Sequence, residues 1–278
     1  MIIDIHVHLF PPEVTRNIEK YTSRDPFLAE ICSSKGHKYA TVEDLLAQMD
    51  QNAVDITAVS GFASSDPGLC REMNDYTLEA ARLFPRRLIA MAVVSPLDRL
   101  MEQELDRAVI SGARGVGELF PWGQAFALDG EKAHRLAYYC QERKLPLLLH
   151  LNENVGHQYA GKGETSAREG AAFAVKYPDL PLIYAHWGGG LCFYELMPEL
   201  KSELRHVYYD TAATPFLYNK NIYRVAREAG ILNKILLGSD YPLIPVHRYL
   251  SDLSDSGLEP QEVNLICGEN AARLFRII

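Results

Sequence analysis

The sequence predicts an α/β fold, a (β/α)8 TIM barrel formed as a single domain over residues 1–278. Three observations carry this expectation. Short apolar runs recur eight times along the chain, with amphipathic stretches between them. The runs are continuously apolar, as in strands of a parallel sheet that are buried on both faces. The length of 278 residues suits one such barrel, which takes roughly 250 residues.

The first run is IIDIHVHL, from Ile2 to Leu9. Strict alternation puts Ile3, Ile5, Val7 and Leu9 on one face and Asp4, His6 and His8 on the other. The long segment 10–40, rich in Pro, Ser, Gly and charge, reads as a loop or lid over the barrel mouth. Thr41-Val-Glu-Asp44 has the form of a capping box with Asp in the usual Glu position, and predicts a helix over TVEDLLAQMDQN. Further strands are expected at AVDITAVSG (53–61), RLIAMAVV (87–94), ARGVGELF (113–120) and LPLLLHL (145–151). LPLIYAHW (180–187), RHVYYDT (205–211) and NKILLGSD (233–240) complete the set. Helical patterns fall near 70–84 (closed by Pro85), 98–111 (closed by Gly112), 130–144, 165–177, 192–203, 219–229 and 260–276. This alternation of strand and helix is that of a TIM barrel. A doubly wound open sheet is the competitor, but it needs a glycine-rich turn after an early strand, and the turn here reads LFPPE.

Composition narrows the class. With 47% apolar and 23% charged residues the chain reads as a soluble globular protein. No apolar run approaches the ~20 residues that a membrane span requires. No basic region precedes the first apolar stretch, so no secretory signal is expected there. The net charge of −8 argues against nucleic acid as a partner. Cys32, Cys70, Cys140, Cys192 and Cys267 are dispersed without a C-x-x-C, which predicts reduced thiols in a cytoplasmic protein. A small-molecule substrate is the expected partner, and a homodimer is left open.

Residues at the carboxyl ends of barrel strands build active sites. Those ends carry His6 and His8 on the first strand, Glu118 on the fourth, His150 on the fifth, His186 on the sixth and Asp240 on the eighth. Taken alone, His6 and His8 are as readily core histidines as ligands, and His150 more readily so. Converging on one rim, imidazoles and carboxylates are the ligand types of Zn²⁺, Fe²⁺ or Mn²⁺.

The arrangement resembles the amidohydrolase superfamily of metal-dependent hydrolases, with H-x-H on the first strand, His after the fifth and sixth, and Asp after the eighth. YAHWGGG (184–190), LLGSDYP (236–242) and GENAARLF (268–275) are similar to the branch that includes aminocarboxymuconate-semialdehyde decarboxylase and the amidohydrolase 2 proteins. The resemblance implies that His6, His8 and Asp240 hold a metal, and that His150 joins them or holds a second ion. His186 then binds the second metal or acts beside the substrate. Many binuclear relatives use a carbamylated lysine after the fourth strand. This chain has Glu118 in GVGELF, which resembles the glutamate of the TatD-like deoxyribonuclease branch. The expected cofactor is a divalent metal, zinc before iron or manganese, as one or two ions. Glu118 bridges two ions, supports one, or simply pairs with Arg114.

Two further residues are substrate-binding candidates: His157, in the loop after the fifth strand, and Arg24, in the first loop, which could meet a carboxylate. Either is equally readable as a solvated side chain. GHQYAGKG (156–163) nearly spells a phosphate-binding loop but has Gly163 where Ser or Thr is required, and nucleotide hydrolysis is rejected. Gly188-Gly189-Gly190 is expected to turn the chain tightly past His186.

A divalent ion acidifies water and polarises a substrate oxygen. The leading expectation is therefore hydrolysis of an amide, lactone or ester-like bond, with Asp240 as proton acceptor and His186 steadying developing charge. The alternative is non-oxidative decarboxylation of a small carboxylic acid. A phosphodiester hydrolase, suggested only by Glu118, and a barrel that binds metal or ligand without turnover stand behind these.

Overall fold

The computed structural model describes residues 1–34 and 36–277. Eight parallel strands lie inside the eight apolar runs: β1 (Ile3–His8), β2 (Ile56–Ser60), β3 (Leu88–Ala90), β4 (Val116–Leu119), β5 (Leu147–Leu149), β6 (Leu182–Tyr184), β7 (Val207–Asp210) and β8 (Ile235–Leu236). Regular pairing gives the orders β1-β2-β3 and β4 to β8, all parallel. Backbone hydrogen bonds close both remaining seams. Arg114, Ala92 and Gly117 link β3 to β4, donating to Ala90, Gly115 and Ala92 at 2.8–2.9 Å. Ile5 donates to Leu237 and Asp240 to His6, both at 2.9 Å, and His8 donates to Tyr241 at 2.8 Å. The sheet is a closed barrel with no free edge.

Helices alternate with the strands at Val42–Gln51, Pro67–Leu83, Met101–Ile110, Glu131–Arg143, Ala167–Lys176 and Asn221–Glu228. Thr41 and Asp44 cap the first of these reciprocally: the Thr41 hydroxyl accepts from the Asp44 N–H and the Asp44 carboxylate from the Thr41 N–H. The barrel interior is filled by Ile3, Ile5, Ile89, Met91, Leu148, Ile183 and Leu236. Ala271, Ala272 and Phe275 of the last helix pack into the same cluster and close its amino-terminal end. There Arg114 donates to the Phe275 carbonyl, so it does not pair with Glu118.

Three sequence expectations need correction. The stretch 192–203 is not one helix: a tight turn spans His186–Leu196, with left-handed backbone from His186 through Gly190, and a short helix follows at Pro198–Glu203. The segment 10–40 carries three short helices, Pro12–Arg16, Ile18–Thr22 and Pro26–Ser33, and a further helix spans His247–Ser254. Finally, β1 does not alternate strictly. Asp4 pairs with Thr57 but Val7 with Val59, so one extra residue is bulged into β1. Ile3 and Ile5 consequently face the interior, while Val7 and Leu9 pack outward against the helix layer. Among the described residues no helix is long and apolar enough to cross a membrane.

Candidate metal centre

The bulge in β1 re-aims His6. The Asp4 carboxylate holds it, with Oδ1 accepting the backbone N–H of His6 at 3.2 Å and of Ser239 at 2.9 Å. One buried side chain thus ties the β1 kink to the segment that carries Asp240. Burial is the main influence on Asp4 and pushes its pKa up to about 6, against these hydrogen bonds. A second bulge lies in β4, where Val116 pairs with Leu147 but Leu119 with Leu149. It turns Glu118 into the barrel mouth. Gly117 makes this fit: its φ is +115°, and a Cβ there would lie 2.2 Å from the Leu148 carbonyl oxygen.

His6, His8 and Asp240 form one group whose ligand atoms lie within 4.8 Å of one another, and Glu118, His150 and His186 form a second. Glu118 lies between the two. Its Oε2 is 3.2 Å from His6 Nε2 and 3.3 Å from His8 Nε2. Its Oε1 is 2.9 Å from His150 Nδ1 and 3.4 Å from His186 Nε2. His6 Nε2 and His8 Nε2 are 3.1 Å apart, and Asp240 Oδ1 stands 3.8 and 3.7 Å from them. Ligands at about 2.0–2.1 Å from a tetrahedral ion are separated by about 3.3 Å, so the first group has the spacing of such a set.

Fixed acceptors decide which ring nitrogens face the centre. His6 Nδ1 donates to Asp210 Oδ2 at 2.8 Å, and His8 Nδ1 to the Gly61 carbonyl at 3.3 Å. His186 Nδ1 donates to the Ala212 carbonyl at 3.2 Å. In the neutral rings each Nε2 is therefore left as a lone pair. The two lone pairs of His6 and His8 face each other and two carboxylates, four acceptors with no donor between them. That arrangement requires a positive charge, a proton or a metal ion. Burial opposes charging of His6, but the Glu118 and Asp210 carboxylates outweigh it and hold its pKa well above the usual histidine range. Burial likewise opposes ionisation of Glu118, yet His6 and His150 hold it well below the usual carboxylate range. Burial also opposes charging of His186, and Glu118 outweighs it, pushing its pKa up to about 9. The donor set fits a divalent cation, which would occupy the place of the proton.

The centre forms the floor of a cavity of about 680 Å³ whose lining includes His8, Glu118, His150, His186 and Asp240. Four phenylalanines make one wall. Phe62 stacks on Phe120 at 4.8 Å between ring centres, Phe27 lies 5.3 Å from Phe120, and Phe10 lies 6.2 Å from Phe62. His157 is exposed and lines the outer part of the cavity. Arg24 is not among the lining residues. Its guanidinium is spent on Asp66 at 2.8 Å and Glu72 at 2.7 Å, which anchor the first loop to the loop after β2. The loop 156–163 is tied to itself, with Lys162 Nζ donating to the carbonyls of Val155 and His157.

Two residues of the centre escape a reading of strand ends. Asp210, fully buried at the end of β7, accepts from His6 and from the backbone of His186 at 2.8 Å. Its place at the close of RHVYYDT was the available signal. Asn152 bonds the outer nitrogen of His150 at 3.0 Å, and nothing in the local sequence marks it.

The fold is shared with known enzymes. The chain is similar to 5-carboxyvanillate decarboxylase from Sphingomonas paucimobilis (17% identity, 99% of this chain and 98% of that one, TM-score 0.77). It is similar to 5-carboxyvanillate decarboxylase from Novosphingobium aromaticivorans, solved with manganese and 4-hydroxy-3-methoxy-5-nitrobenzoic acid (15% identity, 99% and 96% coverage, TM-score 0.79). 2,6-Dihydroxybenzoate decarboxylase from Rhizobium is a third similar structure (17% identity, 99% and 98% coverage, TM-score 0.71). A search of curated proteins finds no match to the chain. The amidohydrolase family profile matches residues 3–277, nearly the whole sequence. On that match, the chain belongs to the amidohydrolase family.

Proposed function

We propose that this protein is a divalent-metal-dependent, non-oxidative decarboxylase of a small aromatic carboxylic acid. The observation that carries the reading is the four-acceptor cluster at the floor of a cavity walled by Phe10, Phe27, Phe62 and Phe120. Family membership supports it, as does the decarboxylase activity named for each of the three similar structures. Hydrolysis, which the sequence put first, has no counterpart among those three. The manganese in one of them sets manganese beside zinc and iron as the metal.

His6, His8 and Asp240 would hold the ion, with Glu118 Oε2 beside them. When bound, it supplies a positive charge that anchors and polarises the substrate's oxygens. The phenylalanine wall takes the face of the aromatic ring and keeps water from it. The bond between ring carbon and carboxylate breaks, its electron pair stays on the carbon, and CO₂ leaves. The carbon then takes a proton, and Asp240 and His186, both lining the cavity, are the groups that deliver it. His186 is suited to this because its pKa, pushed up to about 9, keeps a proton on the ring near neutrality.

The test is product analysis with purified protein loaded with Mn²⁺ or Zn²⁺. Hydroxybenzoic and other aromatic acids are incubated in D₂O beside a panel of lactones, amides and esters. CO₂ release with one deuterium placed on the ring carbon is the expected result. Turnover confined to the second panel, without CO₂, returns the protein to hydrolysis. Full metal occupancy with no turnover of either panel makes it a binding barrel.

A further inference from the structure

His150 sits in the centre differently from the other three histidines. It presents Nδ1 to Glu118, and its Nε2 meets the side-chain amide of Asn152 at 3.0 Å. The orientation of that amide is fixed from outside. Asn152 Oδ1 accepts the backbone N–H of Gly163 at 3.0 Å, so Nδ2 is the end facing His150. Nδ2 also points at Tyr159 Oη at 3.4 Å, and Tyr159 in turn donates to Glu153 at 3.0 Å. Every link in this chain agrees on direction: the Asn152 amide donates, and His150 Nε2 accepts.

A neutral imidazole that accepts at Nε2 carries its proton at Nδ1. That N–H points at Glu118 Oε1, 2.9 Å away, with His186 Nε2 lying 3.1 Å from it on the same side of the carboxylate. The two groups of ligand-type side chains therefore differ in kind. The His6, His8 and Asp240 group is acceptors only. The Glu118, His150 and His186 group contains its own donor.

We propose that His150 is a positioning residue and not a metal ligand: Asn152 fixes it as an Nδ1–H donor that orients Glu118, and the centre holds one divalent ion. To bind a second ion through Nδ1, His150 would have to move its proton to Nε2, against the Asn152 amide. This role depends on a cation being held by His6 and His8, and not on which reaction follows.

Two measurements test it. In zinc-loaded protein labelled with ¹⁵N-histidine, the His150 ring, identified by its loss in His150→Gln, is expected to show the Nδ1–H tautomer. Zinc titration of the metal-free protein is expected to saturate at one equivalent. Asn152→Asp replaces the donor by an acceptor, which moves the His150 proton to Nε2 and frees Nδ1, so a second equivalent is expected. An Nε2–H signal in the wild type, or two equivalents there, overturns the proposal. A folded Asn152→Asp that stays at one equivalent overturns the control assigned to Asn152. If no acid is decarboxylated, the tautomer and the stoichiometry still decide this question independently.

Discussion

Asp210 grips both halves of the centre at once. Its Oδ2 accepts from His6 Nδ1 and its Oδ1 from the backbone N–H of His186, each at 2.8 Å. The first bond sets the tautomer and tilt of a proposed ligand, and the second sets the start of the turn that carries His186. Asp210→Asn keeps the size of the side chain but turns one end into a donor and removes the charge that favours the Nδ1–H form. A fall of roughly 10–100-fold in metal affinity is expected, the range typical of lost partners behind a ligating histidine. Competition against a chromophoric chelator measures it, with circular dichroism as the check on folding. Undiminished affinity would show that the ring is held by something else.

The acceptor cluster gives a second expectation. His6→Ala or Asp240→Asn removes one of the groups proposed to surround the ion. Metal content after purification without chelator should fall well below that of the wild type, and activity should vanish, while the barrel still folds. Elemental analysis and thermal melts report the two separately. Full metal occupancy in both variants contradicts the ligand assignment.

Much of this centre was legible because barrel strands end in polar residues. His6, His8, Glu118, His150, His186 and Asp240 each stand where an apolar run stops, and the fold brings all of them to one mouth. The bulges were not legible. A single extra residue in β1 leaves the composition of IIDIHVHL unchanged but moves Ile5 and His6 onto the same side of the strand, and this depends on a partner strand more than fifty residues away. Asp210 and Asn152 were missed for a related reason. Their work is to hold other side chains, so their signal lies in distance and direction and not in sequence pattern. The turn at His186–Leu196 shows the converse. Its three glycines announced a tight bend, but the apolar residues after them also imitate the start of a helix.

Proton linkage supplies a third expectation, read on metal-free protein. His186 has a folded-state pKa of about 9 against an ordinary 6.5, and His6 is raised as well. A raised pKa means that the folded state binds the proton more tightly than the unfolded chain. The stability it contributes is complete below pH 6.5 and is lost as pH rises through about 9. The melting temperature of chelator-treated protein should therefore fall between pH 6.5 and 9.5. A divalent ion beside Glu118 takes over the role of the protons, so the metal-loaded protein should lose less over the same interval. Parallel curves for the two forms would sink this account.

The bulge in β4 can be tested through its glycine. Gly117 combines a φ of +115° with a Leu148 carbonyl oxygen 2.2 Å from where a Cβ would stand, so alanine there meets both backbone strain and a collision with main chain. Gly112 offers the comparison: its φ is +106°, but nothing lies within 4 Å of its Cβ position. Gly112→Ala should cost about 1 kcal/mol of stability, the strain alone. Gly117→Ala should cost on the order of 3 kcal/mol or more, because the strand must shift as well. Urea unfolding of both variants gives the difference. Since that shift moves Glu118 relative to His6 and His8, Gly117→Ala should also weaken metal binding, whereas Gly112→Ala should leave it unchanged. Equal losses of stability in the two variants, with metal binding intact, would mean that the bulge does not aim Glu118.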